Sequence, residues 1–257
     1  MRSANTKRVF LGAALMWAAL SGGAQAADCP VAWNQLAAAL KASVKPAGGP
    51  GNGGFDNHMW ASVVARDGSV CAVAFSGAEA GDQWPGSRAI SAEKANTANS
   101  VSVDAMALSS GNLYAGALSG GPFYGLEATH PPATDVLYGG DPAAFGTASD
   151  PMVGKILGGV VVFGGGLALY DGNGIVGALG VSGDSSCADH NVAWRVRAAL
   201  KLDQVPAGVA GERKDGLIYD LNHENKSASG FGHAKCPGTE ADIGSEIGAS
   251  VGGESLK

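Results

Sequence analysis

The stretch Gly164–Ala198, GGGLALYDGNGIVGALGVSGDSSCADHNVAWRVRA, decides the fold. Within it Gly172-Asn-Gly174-Ile-Val-Gly177 matches the G-x-G-x-x-G pattern of dinucleotide-binding loops. That pattern binds a pyrophosphate only where a strand leads into the glycines and a helix opens after them. Here the order differs. Leu167–Tyr170 reads as a strand, Asp171–Gly174 as a tight turn of residues that tolerate positive φ, and Ile175–Val181 as a second, apolar strand. The glycines therefore turn a hairpin rather than cradle a phosphate, and the motif argues against a nicotinamide cofactor. After Ser182-Gly-Asp-Ser, the spacing Ser186-x-x-Asp189 predicts a capped helix start. Val192, Val196 and Leu200 then recur every four residues as one buried stripe, with Arg195 and Arg197 off it.

Working outward, Ser87–Ala98 (SRAISAEKANTA) predicts another helix. Ala89, Ala92, Ala95 and Ala98 give it a small-residue face that can approach a sheet, or a neighbouring copy, closely. The glycine triplet, strand, turn, "VGALGVSG" and capped helix, preceded by this Lys-Ala…Thr-Ala helix, together resemble the GlcG/HbpS-like haem-binding protein family over Trp60–Leu202. The chain departs from that pattern in three places: Leu167 and Ala168 stand where the family often has proline, Ser109–Asp150 is long, and the part beyond Val205 has no counterpart. The resemblance implies an α+β fold, haem or a related small molecule as ligand, and assembly into homo-oligomers.

The remaining signals give the frame. Lys7 and Arg8 precede an apolar run Val9–Leu20, and Ala24-Gln-Ala26 is a cleavage motif. Residues 1–26 therefore read as a signal peptide, with an exported, periplasmic or secreted chain starting at Ala27. The apolar run is too short to span a bilayer comfortably, so no stable membrane insertion is expected. A formal charge of −6 argues against nucleic acid and anionic membranes as partners. Residues 27–204 form the expected domain and 205–257 a C-terminal extension. The four cysteines, Cys29, Cys71, Cys187 and Cys236, suit two disulfides in an oxidising compartment. Three pairings are open, and we favour Cys29–Cys236 with Cys71–Cys187, because the first would tie the two ends of the domain together. No cysteines are close enough in sequence for a structural zinc site, and no C-x-x-C-H is present for covalent haem attachment.

Trp33, Leu36, Leu40 and Val44 share one side of a helix following Pro30. Met59–Ala65 and Val70–Phe75 form a hairpin, and Val160–Phe163 is a further strand. Tight turns between strands require antiparallel neighbours, so the expected fold is α+β: a mostly antiparallel sheet of about five strands with helices packed in two or three layers.

Haem needs an apolar slot, an axial ligand and cations for its propionates. His130 lies before two prolines in the long loop, and His190 lies in the first turn of the last predicted helix; either can serve as axial ligand. Arg88 and Lys94 are candidate propionate partners, with Lys155 as a further one. Gly164, Gly165 and Gly166 let a ligand approach the backbone. Tyr124, Tyr138, Tyr170, Trp84 and Phe163 are candidate walls, and His58, His223 and His233 are weaker candidates. Two other functions fit the same residues. One is a periplasmic hydrolase or lyase working through His130 or His190, with Ala117-Leu-Ser119-Gly-Gly121 a faint nucleophile motif. The other is a non-catalytic accessory protein of a periplasmic oxidation pathway.

Overall fold

The computed structural model describes residues 28–49 and 51–253; the expected signal peptide and cleavage site lie outside the described residues. Helix α1 (Trp33–Val44) leads to hairpin β1 (Trp60–Ala65) and β2 (Val70–Phe75), then to α2 (Ser87–Val101). A long irregular segment follows, carrying three single-turn helices: α3 (Tyr114–Ala117), α4 (Leu126–Thr129) and α5 (Thr134–Tyr138). The chain then enters β3 (Gly166–Asp171), β4 (Gly174–Ser182) and α6 (Ser186–Ala199), and ends with β5 (Leu217–Tyr219), α7 (Glu240–Ile247) and β6 (Ser250–Gly252).

The main sheet is antiparallel throughout, ordered β2-β1-β4-β3. Alternation along each strand sorts the side chains onto two faces. Ala61, Val63, Leu167, Leu169, Leu179 and Val181 meet α1 and α6 on one face. Trp60, Val64 and Ala178 meet the alanines of α2 on the other. Three layers result. Ala89, Ala92, Ala95 and Ala98 are all buried in this core, so that face of α2 is closed to a neighbouring copy. A Cβ on Gly180 would overlap the Ser91 carbonyl of α2, which makes glycine a packing requirement there. Beside it the hydroxyls of Ser62 and Ser91 hydrogen-bond across the layers at 2.8 Å.

The hairpin of β3 and β4 forms as expected. Asp171 Oδ1 accepts the backbone N–H groups of Asn173 and Gly174, which fixes the turn. The cap of α6 falls one residue earlier than expected: Ser185 accepts from the Ala188 N–H. The main sheet has four strands rather than five, because Val160–Phe163 is not one of them. Its N–H groups go to side chains instead of a ladder, Val161 to Thr97 Oγ1 and Val162 to Glu127.

The disulfides differ from the favoured pairing. Cys29 joins Cys71, and Cys187 joins Cys236. The first ties the segment before α1 to β2. The second ties α6 to the C-terminal extension, so each bridge fastens a peripheral segment to the nearest core element. The extension wraps the core, and its short strands β5 and β6 pair in parallel. No helix among the described residues is long and apolar enough to cross a membrane.

Candidate functional site

Five of the seven residues singled out from sequence converge at one end of the sheet. Gly164–Gly166 lead into β3 beside the start of α6. A Cβ on Gly165 would stand 3.0 Å from Lys94 Nζ and 3.1 Å from the Asp189 Cβ, and one on Gly164 would stand 3.1 Å from the His190 Cβ. Lys94 reaches across from α2 to Asp189 at 2.7 Å and also donates to the Val181 carbonyl. Burial raises the Asp189 carboxyl to about 6 against the opposing pull of Lys94. His190 is fully buried, and its Nδ1 accepts the Gly165 N–H at 3.4 Å. Burial first, then Arg197, His233 and Lys94, holds its imidazole well below the ordinary range, so the ring is neutral. Its Nε2 has no partner in hydrogen-bond geometry, although the Ala249 backbone lies close enough to act on the ring.

The extension closes over this cluster. His233 accepts the Gly164 N–H through Nε2 at 3.1 Å, and its Nδ1 lies 2.7 Å from the Ala234 carbonyl. That pair of contacts fixes the tautomer, with the proton on Nδ1. Burial pulls the ring down to about 4. Tyr114 and Phe163 flank it, with centroids at 5.0 and 6.5 Å. Sequence alone gave His233 little weight. Its importance comes from a contact 69 residues away, to which no local signal points.

Arg88 and His130 stand elsewhere. Arg88 makes a bidentate, buried pair with Asp150, donates to the Leu137 carbonyl and stacks on Phe145 at 3.7 Å. All three of its guanidinium nitrogens donate, and one face lies on the Phe145 ring. It borders an apolar cavity of about 370 Å³ with Trp60, Leu137, Tyr138 and Phe145. His130 follows α4 and is exposed, on the wall of a different cavity of about 310 Å³. That cavity is lined by Val101, Leu113, Leu126, Pro131 and Val160, with Asn96, Thr97 and Ser100 of α2 as its polar side. His130 Nδ1 lies 3.1 Å from the Leu126 carbonyl and 3.0 Å from Thr129 Oγ1. Nearby, burial and the charge of Glu127 raise the carboxyl of Glu93, another group to which sequence gave no weight.

Among the other candidates, Tyr170 is a core residue whose hydroxyl donates to the Val103 carbonyl at 2.7 Å. Trp84, Tyr124, Tyr138 and Phe163 are exposed, as is Lys155. Ser119 follows α3 in a turn closed by Gly121 donating to Leu118, not a strand-to-helix elbow. No group of three or more potential metal-ligating side chains occurs among the described residues.

A three-layer α+β domain with a glycine turn at the mouth of its central hairpin, and a buried Lys–Asp pair behind it, defines the class of protein. The family model described as "Haem degrading protein HbpS-like" matches residues 32–198, and the chain belongs to that family. Among solved structures, the chain is similar to Klebsiella pneumoniae protein ORFY, at 21% identity and a TM-score of 0.44 over 65% of this chain and 86% of that one. It is similar to PduOC, crystallised as a haem complex, at 22% identity and a TM-score of 0.43 over 65% and 89%. It is also similar to HbpS, at 20% identity and 0.40 over 66% and 89%. No curated protein matches.

Proposed function

We propose that the chain is an exported protein that binds haem, or a closely related small molecule, non-covalently, with His130 as the iron ligand. One observation carries the choice of residue. With Nδ1 turned to the Leu126 carbonyl and Thr129, His130 keeps Nε2 free at the wall of a cavity with apolar sides. A ligating histidine needs that arrangement: the second ring nitrogen donates to a backbone carbonyl and leaves a lone pair for the metal. His190, by contrast, is sealed under the extension. Bound there, haem would supply an iron centre and a flat apolar ring. The residues of this chain would then do three things: Leu113, Leu126 and Val160 exclude water from one edge, Pro131 holds the loop extended, and Asn96, Thr97 and Ser100 offer polar contacts. The cavity is at the small end of the roughly 300–1,000 Å³ typical of ligand sites. Lys94 and Arg88, each held in a buried ion pair, are not the propionate partners in this reading. Family membership supports the ligand class, and the engagement of all four cysteines in disulfides supports both export and non-covalent binding.

Titration with haemin tests the proposal. The wild type should give a saturable Soret band. His130→Ala should shift its position and weaken binding by more than the roughly 10–100-fold typical of losing an outer-shell partner. His190→Ala should leave the band where it is. No saturable binding by the wild type removes the function, and an unchanged His130→Ala spectrum removes the residue.

A further inference from the structure

The seam between the core and the C-terminal extension is unlike the rest of the interior. The face of the core that the extension covers is polar: Asp189, His190, Asn191 and Arg197 of α6 are each at most 2% exposed, and Lys94 of α2 lies behind them. Leu217, Ile218, Ala241 and Ala249 of the extension are buried, but none of them joins the three apolar clusters that make the core, which end at Val205. Side-chain donors on the core instead meet acceptors on the extension. Arg197 forks onto Asp215 at 2.6 and 2.8 Å. Ser185 Oγ donates to Glu240 at 2.6 Å, Asn191 to the Glu240 carbonyl and Asn112 to the Gly216 carbonyl. The Gly164 N–H donates to His233. Even so, the seam leaves Arg197 Nε, the Tyr219 hydroxyl and Glu240 Oε2 buried and unpartnered. Apolar residues of similar volume would hold such a seam as well or better, because buried ion pairs and unmade hydrogen bonds carry desolvation costs. A donor-lined surface closed by an acceptor-lined flap is what a face needs if it is also to stand in water.

One covalent bond locks the flap. Cys187 is in the first turn of α6 and fully buried, whereas Cys236, on the extension, is partly exposed. A thiolate can attack only a sulfur it reaches, here that of Cys236. The group expelled is then the Cys187 thiolate, which the helix N-terminus stabilises as a leaving group. The bridge between Cys29 and Cys71 joins a pre-helix segment to a strand and has no such helix terminus.

We propose that the C-terminal extension is a redox-latched cover over the donor-lined face of α6, opened by reduction of Cys187–Cys236. The reductant is a dithiol of the disulfide-exchange class. One thiolate attacks Cys236 Sγ, the sulfur–sulfur bond breaks and Cys187 leaves. The second thiol then displaces Cys236 from the mixed disulfide, so the protein gains two thiols and the dithiol becomes a disulfide. Once open, the cover takes Asp215 from Arg197 and His233 from Gly164, exposing His190, Arg197 and the Gly164 N–H at a site distinct from the His130 cavity.

The test uses the full mature chain without haem, so its outcome is independent of the haem reading. Hydrogen exchange and diethyl pyrocarbonate labelling of His190 and His233 are compared in oxidised wild type, wild type with graded dithiothreitol, Cys187→Ser/Cys236→Ser, and Cys29→Ser/Cys71→Ser. Opening predicts at least a tenfold rise in labelling of both histidines in the Cys187/Cys236 variant and in reduced wild type. Exchange should rise in 185–197 and 206–253 while β1, β4 and α2 stay protected, and the Cys29/Cys71 variant should behave as oxidised wild type. Unchanged labelling in the Cys187/Cys236 variant overturns the latch. A rise that spreads equally through β1, β4 and α2 overturns it too, because the extension is then part of one cooperative unit.

Discussion

Among the described residues, three ion pairs are almost wholly buried: Arg88–Asp150, Lys94–Asp189 and Arg197–Asp215. Each joins an α-helix to a loop or to another layer, and none falls in one sequence window. Arg88 shows the consequence. In sequence it is a helix cation that could meet a propionate; in the fold its partner lies 62 residues on, at Asp150, which also accepts the Gly146 and Met152 N–H groups. Removing one member strands the other in the interior. Arg88→Ala should therefore cost about 3–5 kcal/mol in urea unfolding, whereas Arg88→Met/Asp150→Leu should recover most of it. If the single and double variants lose stability equally, the pair is not what holds this loop to α2. The same pairing takes up the charges of Arg88 and Lys94 within the fold.

At the scale of elements, legibility tracked the range of the signal. The β3–β4 hairpin and the two long helices α2 and α6 were readable because turn chemistry, capping and side-chain period act within a few residues. Val160–Phe163 was misread because an apolar run says nothing of where its N–H groups go, and here they go to Thr97 and Glu127. The alanine face of α2 was legible as a close-packing surface, though not which surface it meets. The glycine that completes that contact gives a sharp test. Gly180→Ala pushes a methyl into the α2 backbone at Ser91 and Ala95, where no side chain can yield. Overpacking of this kind costs about 1–3 kcal/mol, at roughly 2–4 °C per kcal/mol for a domain of this size. Gly172→Ala, in the turn, meets only the end of Gln204 at 3.5 Å and should leave Tm nearly unchanged. Equal melting of the two variants would mean that α2 does not lie this close to the sheet.

For the whole molecule, the sequence carried the layered core but not what encloses it. The extension is held largely by polar anchors, and the partners that bury His190, Arg197 and Gly164 were out of reach of any local pattern. That architecture ties stability to pH through His233. Its ring titrates near 4 in the fold against 6.5 when unfolded, so the folded state binds fewer protons between those values. Stability from this group is therefore complete above the unfolded value and is lost as pH falls from about 6.5 through 4; between pH 7 and 5 it amounts to about 2 kcal/mol. His190, also held well below its ordinary value by burial, acts in the same direction. Asp189 opposes them: raised from 3.8 to about 6, it binds more protons in the fold across that window and returns roughly 1 kcal/mol on acidification. Two histidines outweigh one carboxyl, so the urea midpoint should fall from pH 7 to pH 5. A His233→Gln variant can still offer Gly164 an acceptor but cannot titrate, and Asp189 is common to both proteins. The difference between the two pH profiles isolates His233: the variant should lose about 2 kcal/mol less than wild type over that interval. Parallel profiles would show that this imidazole is solvated in the folded state, and that the extension does not seal the end of α6.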